Sequence, residues 1–341
     1  METITIKDIA RLAGVGVSTV SRALNNHPDI NAETRNRVME IVEQYGFVPN
    51  GSARSLKISE SRTIAVLVKG MTNPFFMKMI GIMENQIHER HYSMELRHVD
   101  ERTDGVDVAL ELVKEKKLSG IIFLGGLATN NPEKLERLGI PFVLSTVSTG
   151  EEEEKGYSSV CVDDVAESYK MVQYLIEKGH RKIALMGTPE CDTSIGELRM
   201  QGYLAALKDN NIESDESLIW HADGDADTYS MKNGYNIMKK VLKEKRDFSA
   251  VFAISDTLAM GAMRALREAG RRVPEDVSVA GFDGIDMGLY CVPSITTIAQ
   301  PFEEMAKKTT NILFDDIDNK LSHHKVVLDA DLKERESVKA I

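Results

Sequence analysis

Residues 6–26 read IKDIARLAGVGVSTVSRALNN. The run Thr5-Ile6-Lys7-Asp8 that opens them is a capping box, which starts a helix over 6–13 that Gly14 ends. A second helix begins three residues later, over 17–24, with Val20 and Leu24 facing a core. Asn31 caps a third, over 32–45, with Val38, Ile41, Val42 and Tyr45 on one face. Two short helices joined by a tight glycine-containing turn make a helix-turn-helix, whose second helix fits the major groove of double-stranded DNA. In that helix Val17, Ser18, Ser21 and Arg22 can point outwards. Arg22 is long enough to offer two donors to a guanine edge, and Val17 or Ser18 can touch base edges or a thymine methyl. Thr19, Ser21 and Asn25 are short donors suited to phosphates. On helical pattern alone, a three-helix protein-interaction bundle with solvated polar faces fits the same residues.

After about residue 62 the texture changes. Strand-like runs at 63–68, 93–99, 120–124, 142–145, 159–162, 182–186, 218–221, 250–254 and 277–282 alternate with helical patterns at 75–89, 106–115, 166–177, 198–209, 230–243 and 257–269. That alternation predicts an α/β body of doubly wound parallel sheets. So many strands exceed one comfortable open sheet, so two lobes are expected, with ligand space at the carboxyl ends of the strands. The domain organisation is therefore a headpiece at 1–49, a Ser-rich polar linker at 50–61 and a body at 62–341. One lobe is expected at about 62–162 plus 294–322, and the other at about 163–292 plus 325–335. The linker contains ARSLK, which can form a turn or two of helix but needs a partner to order it.

The wording of the chain goes further than its periodicity. IKDIARLAGVGVSTVSRALNN, TRNRVMEIVEQYGFVPN and ARSLK resemble the headpiece and hinge of the lactose-repressor (LacI/GalR) family of bacterial transcription regulators. The likeness continues through NPFF at 73–76, GHRKIALMG at 179–187, RMQGYLAAL at 199–207, SDTLAMGAMRAL at 255–266, VPEDVSVAGFD at 273–283 and TTIAQP at 296–301. The resemblance implies a homodimer on a near-palindromic operator, a body like that of periplasmic binding proteins, and a small effector, often a sugar, that shifts operator affinity. It implies that Thr5 belongs to the DNA-binding set and that Val17 and Ser18 write the operator preference. The family usually has Ser or Thr where this chain has Gly16, so one helix cap and one phosphate contact are expected to be missing. Asn50, Ala53 and Leu56 match hinge-helix positions, and paired Leu56 side chains are expected to wedge between central base steps from the minor groove.

For the effector, the resemblance implies that Phe75, Phe76 or both line the cleft beside Asn73, although both rings also suit an ordinary helix-start core. Asp256 follows the strand AVFAIS and can accept two vicinal hydroxyls, or act with Ser255 as a helix cap. Arg199 matches the family's cleft arginine, a rigid fork of donors. Gln300 follows the return strand ITTIA, Asp163 stands at the first lobe crossover, and Asp283, which ends VSVAGF, reads as structural. Sugar-binding members often carry an aromatic where this chain has Ala226, a space that Tyr229 or Trp220 can fill. A carbohydrate is the expected effector, with a purine or a sugar phosphate as the alternative.

Other classes fit poorly. The chain lacks GxxxxGK[ST], GxSxG and a strand-to-helix GxGxxG, so no enzyme is expected, and no cofactor. His88 and His91, and His323 and His324, have no cysteine or carboxylate partner at metal spacing and read as surface residues, with no metal. Cys161, Cys191 and Cys291 are far apart and read as reduced thiols in a cytoplasmic protein. No apolar run suggests a signal peptide or a membrane span, which argues against a transport-associated binding protein. With no heptad-bearing tail after 328–337, a dimer rather than a tetramer is expected. The net charge of -11, from 53 acidic and 42 basic side chains, looks hostile to DNA. Residues 1–60 nevertheless carry seven of each, so the whole excess lies in the body. A neutral headpiece on an acidic body implies modest non-specific DNA affinity.

Overall fold

A computed structural model of the chain describes residues 4–24, 29–45, 47, 62–100, 103–126, 132–147, 157–187, 195–221, 228–318 and 323–341. The chain divides into two compact units, Met1–Ser61 and Arg62–Ile341. In the first unit, α1 (Ile6–Ala13), α2 (Val17–Leu24) and α3 (Ala32–Gln44) enclose a small core of Ile9, Ala10, Ala13, Val20, Ala23 and Val38. Tyr45, expected on the buried face of α3, instead ends that helix and is 47% exposed. Phe47 packs on the core in its place, because the chain has left the helix and turns back at that point.

The second unit holds two six-stranded sheets. The first is built from β1 (Thr63–Lys69), β2 (Ser93–Val99), β3 (Gly120–Leu124), β4 (Phe142–Ser145) and β5 (Ser158–Val162), with α4 (Pro74–Glu89), α5 (Gly105–Glu115) and α6 (Pro132–Glu136) between them. The chain then enters the second lobe through α7 (Asp164–Glu177), β6 (Ile183–Met186), α8 (Ile195–Asp209), β7 (Ile219–Trp220), α9 (Met231–Lys243), β8 (Ala250–Ala253), α10 (Asp256–Glu268), β9 (Ser278–Asp283), the short α11 (Asp286–Leu289) and β10 (Thr296–Ala299). It returns through α12 (Phe302–Ile317) and β11 (Lys325–Leu328), and ends with β12 (Asp331–Lys333) back in the second sheet. The first sheet has the order β11-β5-β4-β3-β1-β2, all parallel. The second has the order β12-β10-β9-β8-β6-β7, with only β12 antiparallel. Strands such as GIIFL and SSVCV are buried along their whole length, as helix-covered parallel strands must be.

Two lobe assignments need correcting. Residues 294–299 were expected in the first lobe, yet β10 pairs with β9 in the second sheet, so the return crossing comes at Gln300–Pro301. Residues 325–328 were expected in the second lobe, yet β11 pairs with β5 and closes the edge of the first sheet. Both strands are only four residues long, and period-two reading does not say which sheet a strand that short will join. The helix α12, outside the predicted set, covers β3, β4 and β5; a Cβ on Gly120 would lie 2.9 Å from Leu313 beneath it.

Helix packing in the second lobe depends on glycine. Gly234 of α9 and Gly261 of α10 face each other, and a Cβ on either would come within 2.2 Å of a backbone oxygen of the opposite helix, Leu258 O or Met231 O. Gly202 of α8 meets Val165 O of α7 in the same way, at 2.2 Å. These two helix pairs lie backbone on backbone.

Candidate DNA-reading surface and effector cleft

In the first unit the turn between α1 and α2 is fixed by local bonds. The Asp8 carboxylate accepts from the Thr5 amide at 3.0 Å and the Thr5 hydroxyl at 2.6 Å, and pairs with Arg11 at 2.8 Å. The Thr5 bonds, with a smaller contribution from Arg11, hold the Asp8 carboxyl below its ordinary value. Gly14 takes a left-handed φ of 63°, and the Gly16 carbonyl accepts from Thr19 at 2.9 Å and Val20 at 3.1 Å, which makes Gly16 the N-cap of α2. Burying Val20 and Ala23 turns the rest of α2 outward: Val17 is 43% exposed, Ser18 and Arg22 are exposed, and Thr19 and Ser21 are half-buried. Thr5 is exposed as well. Asn25, Asn50, Ala53 and Leu56 lie outside the described residues. A Cβ at Gly16 would meet only Ser18 Oγ at 3.6 Å and Thr19 Oγ1 at 4.0 Å, so a serine fits there without strain. Gly16→Ser is expected to steady α2 by a few tenths of a kcal/mol and to slow exchange of its first amides about twofold. Unchanged exchange would mean that the added hydroxyl makes no cap.

In the second unit the ends of the sheets define the cleft. The strand order of the first sheet reverses at β1 and β3, and that of the second at β6 and β8, and ligands collect at such switch points. At the first, Gly125 has a φ of 91°, and a Cβ there would lie 2.2 Å from Lys69 O and 3.0 Å from the Phe76 ring. Phe76 therefore lies across the β1–β3 switch point. Its neighbour Phe75, 5.5 Å away between ring centroids, faces a groove of about 280 Å³ lined by Pro74, Lys78, Ile285, Met287 and Phe302. Both rings are also buried core residues.

At the second switch point stands Arg199, 3% exposed. Its Nε donates to Asp164 Oδ1 at 2.8 Å, its Nη1 donates to the Ile254 carbonyl at 2.5 Å, and its guanidinium stacks 3.6 Å from the Phe282 ring centroid. Nη1 also lies 3.6 Å from Asp283 Oδ1. Asp283 is the centre of this polar cluster. Its Oδ2 accepts from Asn73 Nδ2 and its Oδ1 from Gln300 Nε2, each at 2.8 Å, so the Asn73 bond ties the first lobe to the second. Asn73 also caps α4 through its Oδ1, which accepts from the Phe75 amide at 3.1 Å. A second tie across the seam is the ion pair of Lys78 with Asp286, at 2.5 Å. Burial pushes the Asp164 and Asp283 carboxyls up, against the pull of Arg199. Burial works against the Arg199 charge as well, but Asp164 and Asp283 outweigh it and hold the guanidinium above its ordinary value.

The structure thus brings Asn73, Arg199 and Gln300 together around Asp283, with Phe76 on the turn of α4 that follows Asn73. Asp163 is exposed and caps α7, accepting from Ala166 N at 2.9 Å, while the next residue, Asp164, holds Arg199. Capping preference was the readable signal: the first Asp of the doublet takes the cap, which turns the second inward. Asp256 is fully buried beneath the cleft and bonds the Ile285 amide, while Ser255 alone caps α10. Asp283, read from sequence as structural, ends β9 and accepts from Asn73 and Gln300. Trp220 packs on Phe248 and donates Nε1 to the Ser217 carbonyl at 3.0 Å. Tyr229 is half-buried and near enough to Arg199 to favour its charge. Ala226 lies outside the described residues.

Residues 5–50 match the bacterial regulatory proteins of the lacI family, and residues 172–338 match the periplasmic binding protein-like domain. The chain is 42% identical over 335 residues to the HTH-type transcriptional regulator MalR of Clostridium butyricum, covering 97% of this chain and 98% of that protein. The chain belongs to the LacI family. It is a DNA-binding transcriptional regulator with an effector-binding body. It is also 32% identical to the HTH-type transcriptional repressor CytR of Escherichia coli K12, over 91% of this chain and 89% of that one. Among solved structures, the transcriptional regulator CelR–cellobiose complex is 30% identical with a TM-score of 0.72, covering 98% of this chain and 99% of its own. The lac repressor dimer bound to operator and the anti-inducer ONPF, at 24% identity and a TM-score of 0.80 over 99% of this chain and all of that one, shares the fold. Among the described residues of this LacI-family chain, no helix is long and apolar enough to cross a membrane, and no cluster of metal-ligating side chains occurs.

Proposed function

We propose that the protein is a homodimeric repressor, working in the cytoplasm, whose hold on a near-palindromic operator is set by a neutral saccharide bound around Asp283 between the two lobes. In this reading Arg22, Val17 and Ser18 read bases, Thr5, Thr19, Ser21 and Asn25 hold phosphates, and Asn50, Ala53 and Leu56 form the hinge. Asn73, Phe76, Arg199, Asp283 and Gln300 hold the effector, with Phe75 behind the first ring and Asp163 at the rim.

The observation that carries the saccharide is the charge of the cleft. Asp164 and Asp283 are buried against the single guanidinium of Arg199, and Asp256 lies directly behind them. A sugar brings hydroxyl donors that a carboxylate accepts. A phosphate ester brings a charge of about -1.5 to -2, and each close pair of like charges at 4 Å costs about 4 kcal/mol near a protein surface. The CelR–cellobiose complex and a LacI-family regulator from Enterococcus faecium with bound ribose, 29% identical with a TM-score of 0.72 over 82% of this chain and 99% of that one, support the same reading. The test is a thermal-shift panel of cellobiose, ribose, glucose 6-phosphate and hypoxanthine. A neutral saccharide near a hundredfold excess over its dissociation constant is expected to raise the midpoint by about 5 °C, and glucose 6-phosphate to leave it unmoved. A shift with hypoxanthine alone would overturn the saccharide in favour of a purine.

A further inference from the structure

We propose that Asp256 is the positioning residue of the effector site: enclosed beneath the cleft, its carboxylate holds the Gly284–Ile285 turn, and so fixes the Asp283 carboxylate against Asn73, Gln300 and Arg199 with a grip that depends on its protonation.

The turn needs such a hold. Asp283 has a φ of 109°, a region that residues with side chains avoid, and Gly284 follows at 76°. A Cβ on Gly284 would lie 2.6 Å from Ala299 Cα, so the turn is also wedged against β10 and cannot relax in that direction. Three contacts counter this strain. Gln300 N donates to the Asp283 carbonyl at 3.2 Å, Ile285 N donates to Asp256 Oδ2 at 2.8 Å, and the Gly284 amide bonds the same carboxylate. Two of the three come from Asp256. The sequence makes room for it, since a side chain at Gly281 would start 2.1 Å from Asp256 Oδ1. Oδ1 itself has no hydrogen-bond partner among the described residues, and beyond the two turn amides the carboxylate is held by the Thr297 hydroxyl of β10.

The groups around Asp256 set its charge. From β9 comes the Asp283 carboxylate, with Arg199 and Asp164 beyond it, and from β10 the Thr297 hydroxyl. From the segment after the turn come the Cys291 thiol, pushed up by burial and by the Asp256 charge, and the Lys78–Asp286 pair farther along. Arg335, near the end of the chain, bonds the Ile295 carbonyl and approaches Gly288 from the far side. Burial first and the Asp283 charge second push the Asp256 carboxyl up to about 7, so both forms are populated near neutrality. The charged form makes the stronger bonds to the two amides.

This role rests on Asp283 being an effector contact, but its test needs no effector. Exchange of the Gly284 and Ile285 amides in the full chain, corrected for intrinsic rates, is followed from about pH 6 to about pH 8. Protection is expected to rise about five- to tenfold with a midpoint near 7, while amides of β3 stay level. In Asp256→Asn the step disappears, and in Asp283→Asn it remains with a lower midpoint, because one source of the upward push is gone. A flat wild-type profile, which decides the matter even if the variants do not fold, or an unchanged step in Asp256→Asn, would overturn the proposal. If the step is present and no saccharide shifts the thermal midpoint, the effector reading falls and the positioning role stands.

Discussion

Gly261→Ala is expected to destabilise the second lobe by about 3 kcal/mol or more, at the upper end of overpacking costs. The new methyl would lie 2.0 Å from Met231 O and 2.6 Å from Tyr235 N, both backbone atoms of α9. Neither can rotate away as a side chain tip can, so α9 and α10 must separate along their length. Their separation would break the opposite contact too, where Gly234 meets Leu258 O. Against a typical domain stability of about 5–15 kcal/mol, that loss is a large fraction. The control is Gly81→Ala on the exposed face of α4, where nothing lies within 4 Å and helix propensity gains about 1 kcal/mol. Urea unfolding of the two variants should move in opposite directions. Equal midpoints would show that α9 and α10 slide apart at little cost.

The second large effect concerns the buried charge. Arg199→Ala removes the cation from Asp164 and Asp283, both 3% exposed, and strips a donor from the Ile254 carbonyl. Breaking a buried pair in this way costs about 3–5 kcal/mol. The cost should depend on pH in a defined direction. Burial already holds both carboxyls above their ordinary value of 3.8, and without Arg199 they rise further. A carboxyl whose folded value lies above its unfolded value stabilises the fold while protonated and loses that contribution as pH rises through the folded value. The deficit of Arg199→Ala against wild type should therefore be smaller near pH 5 than near pH 7.5, and Asp164→Asn in the same chain should recover part of it at the higher pH. A deficit equal at both pH values would mean that lost packing on Phe282, rather than charge, sets the cost.

Most of the fold was legible because its signals are local. The capping box at Thr5–Asp8, the glycine at 14 and the continuous apolar runs of the central strands each specify their own element. What the sequence did not decide was pairing. The four residues of β10 and of β11 carry no information about which sheet they join, since that depends on where the chain has travelled in between. The effector site divides in the same way. Asn73 and Gln300 were visible as polar residues at strand ends, and Arg199 through the resemblance of its segment to the family. The separate roles of Asp163 and Asp164 were readable only through capping preference, and those of Asp256 and Asp283 were not, because they depend on which way the backbone turns each carboxylate.

The route of the chain also orders events during synthesis. Sheet one has five of its strands by residue 162, but α12, which covers β3, β4 and β5, and the edge strand β11 are made only after the whole second lobe. On the ribosome the early half must wait with an apolar sheet face bare while more than a hundred further residues emerge. Nascent chains of this protein therefore carry an incompletely covered apolar sheet face through the whole synthesis of the second lobe, the kind of surface that makes an unfinished chain prone to aggregate.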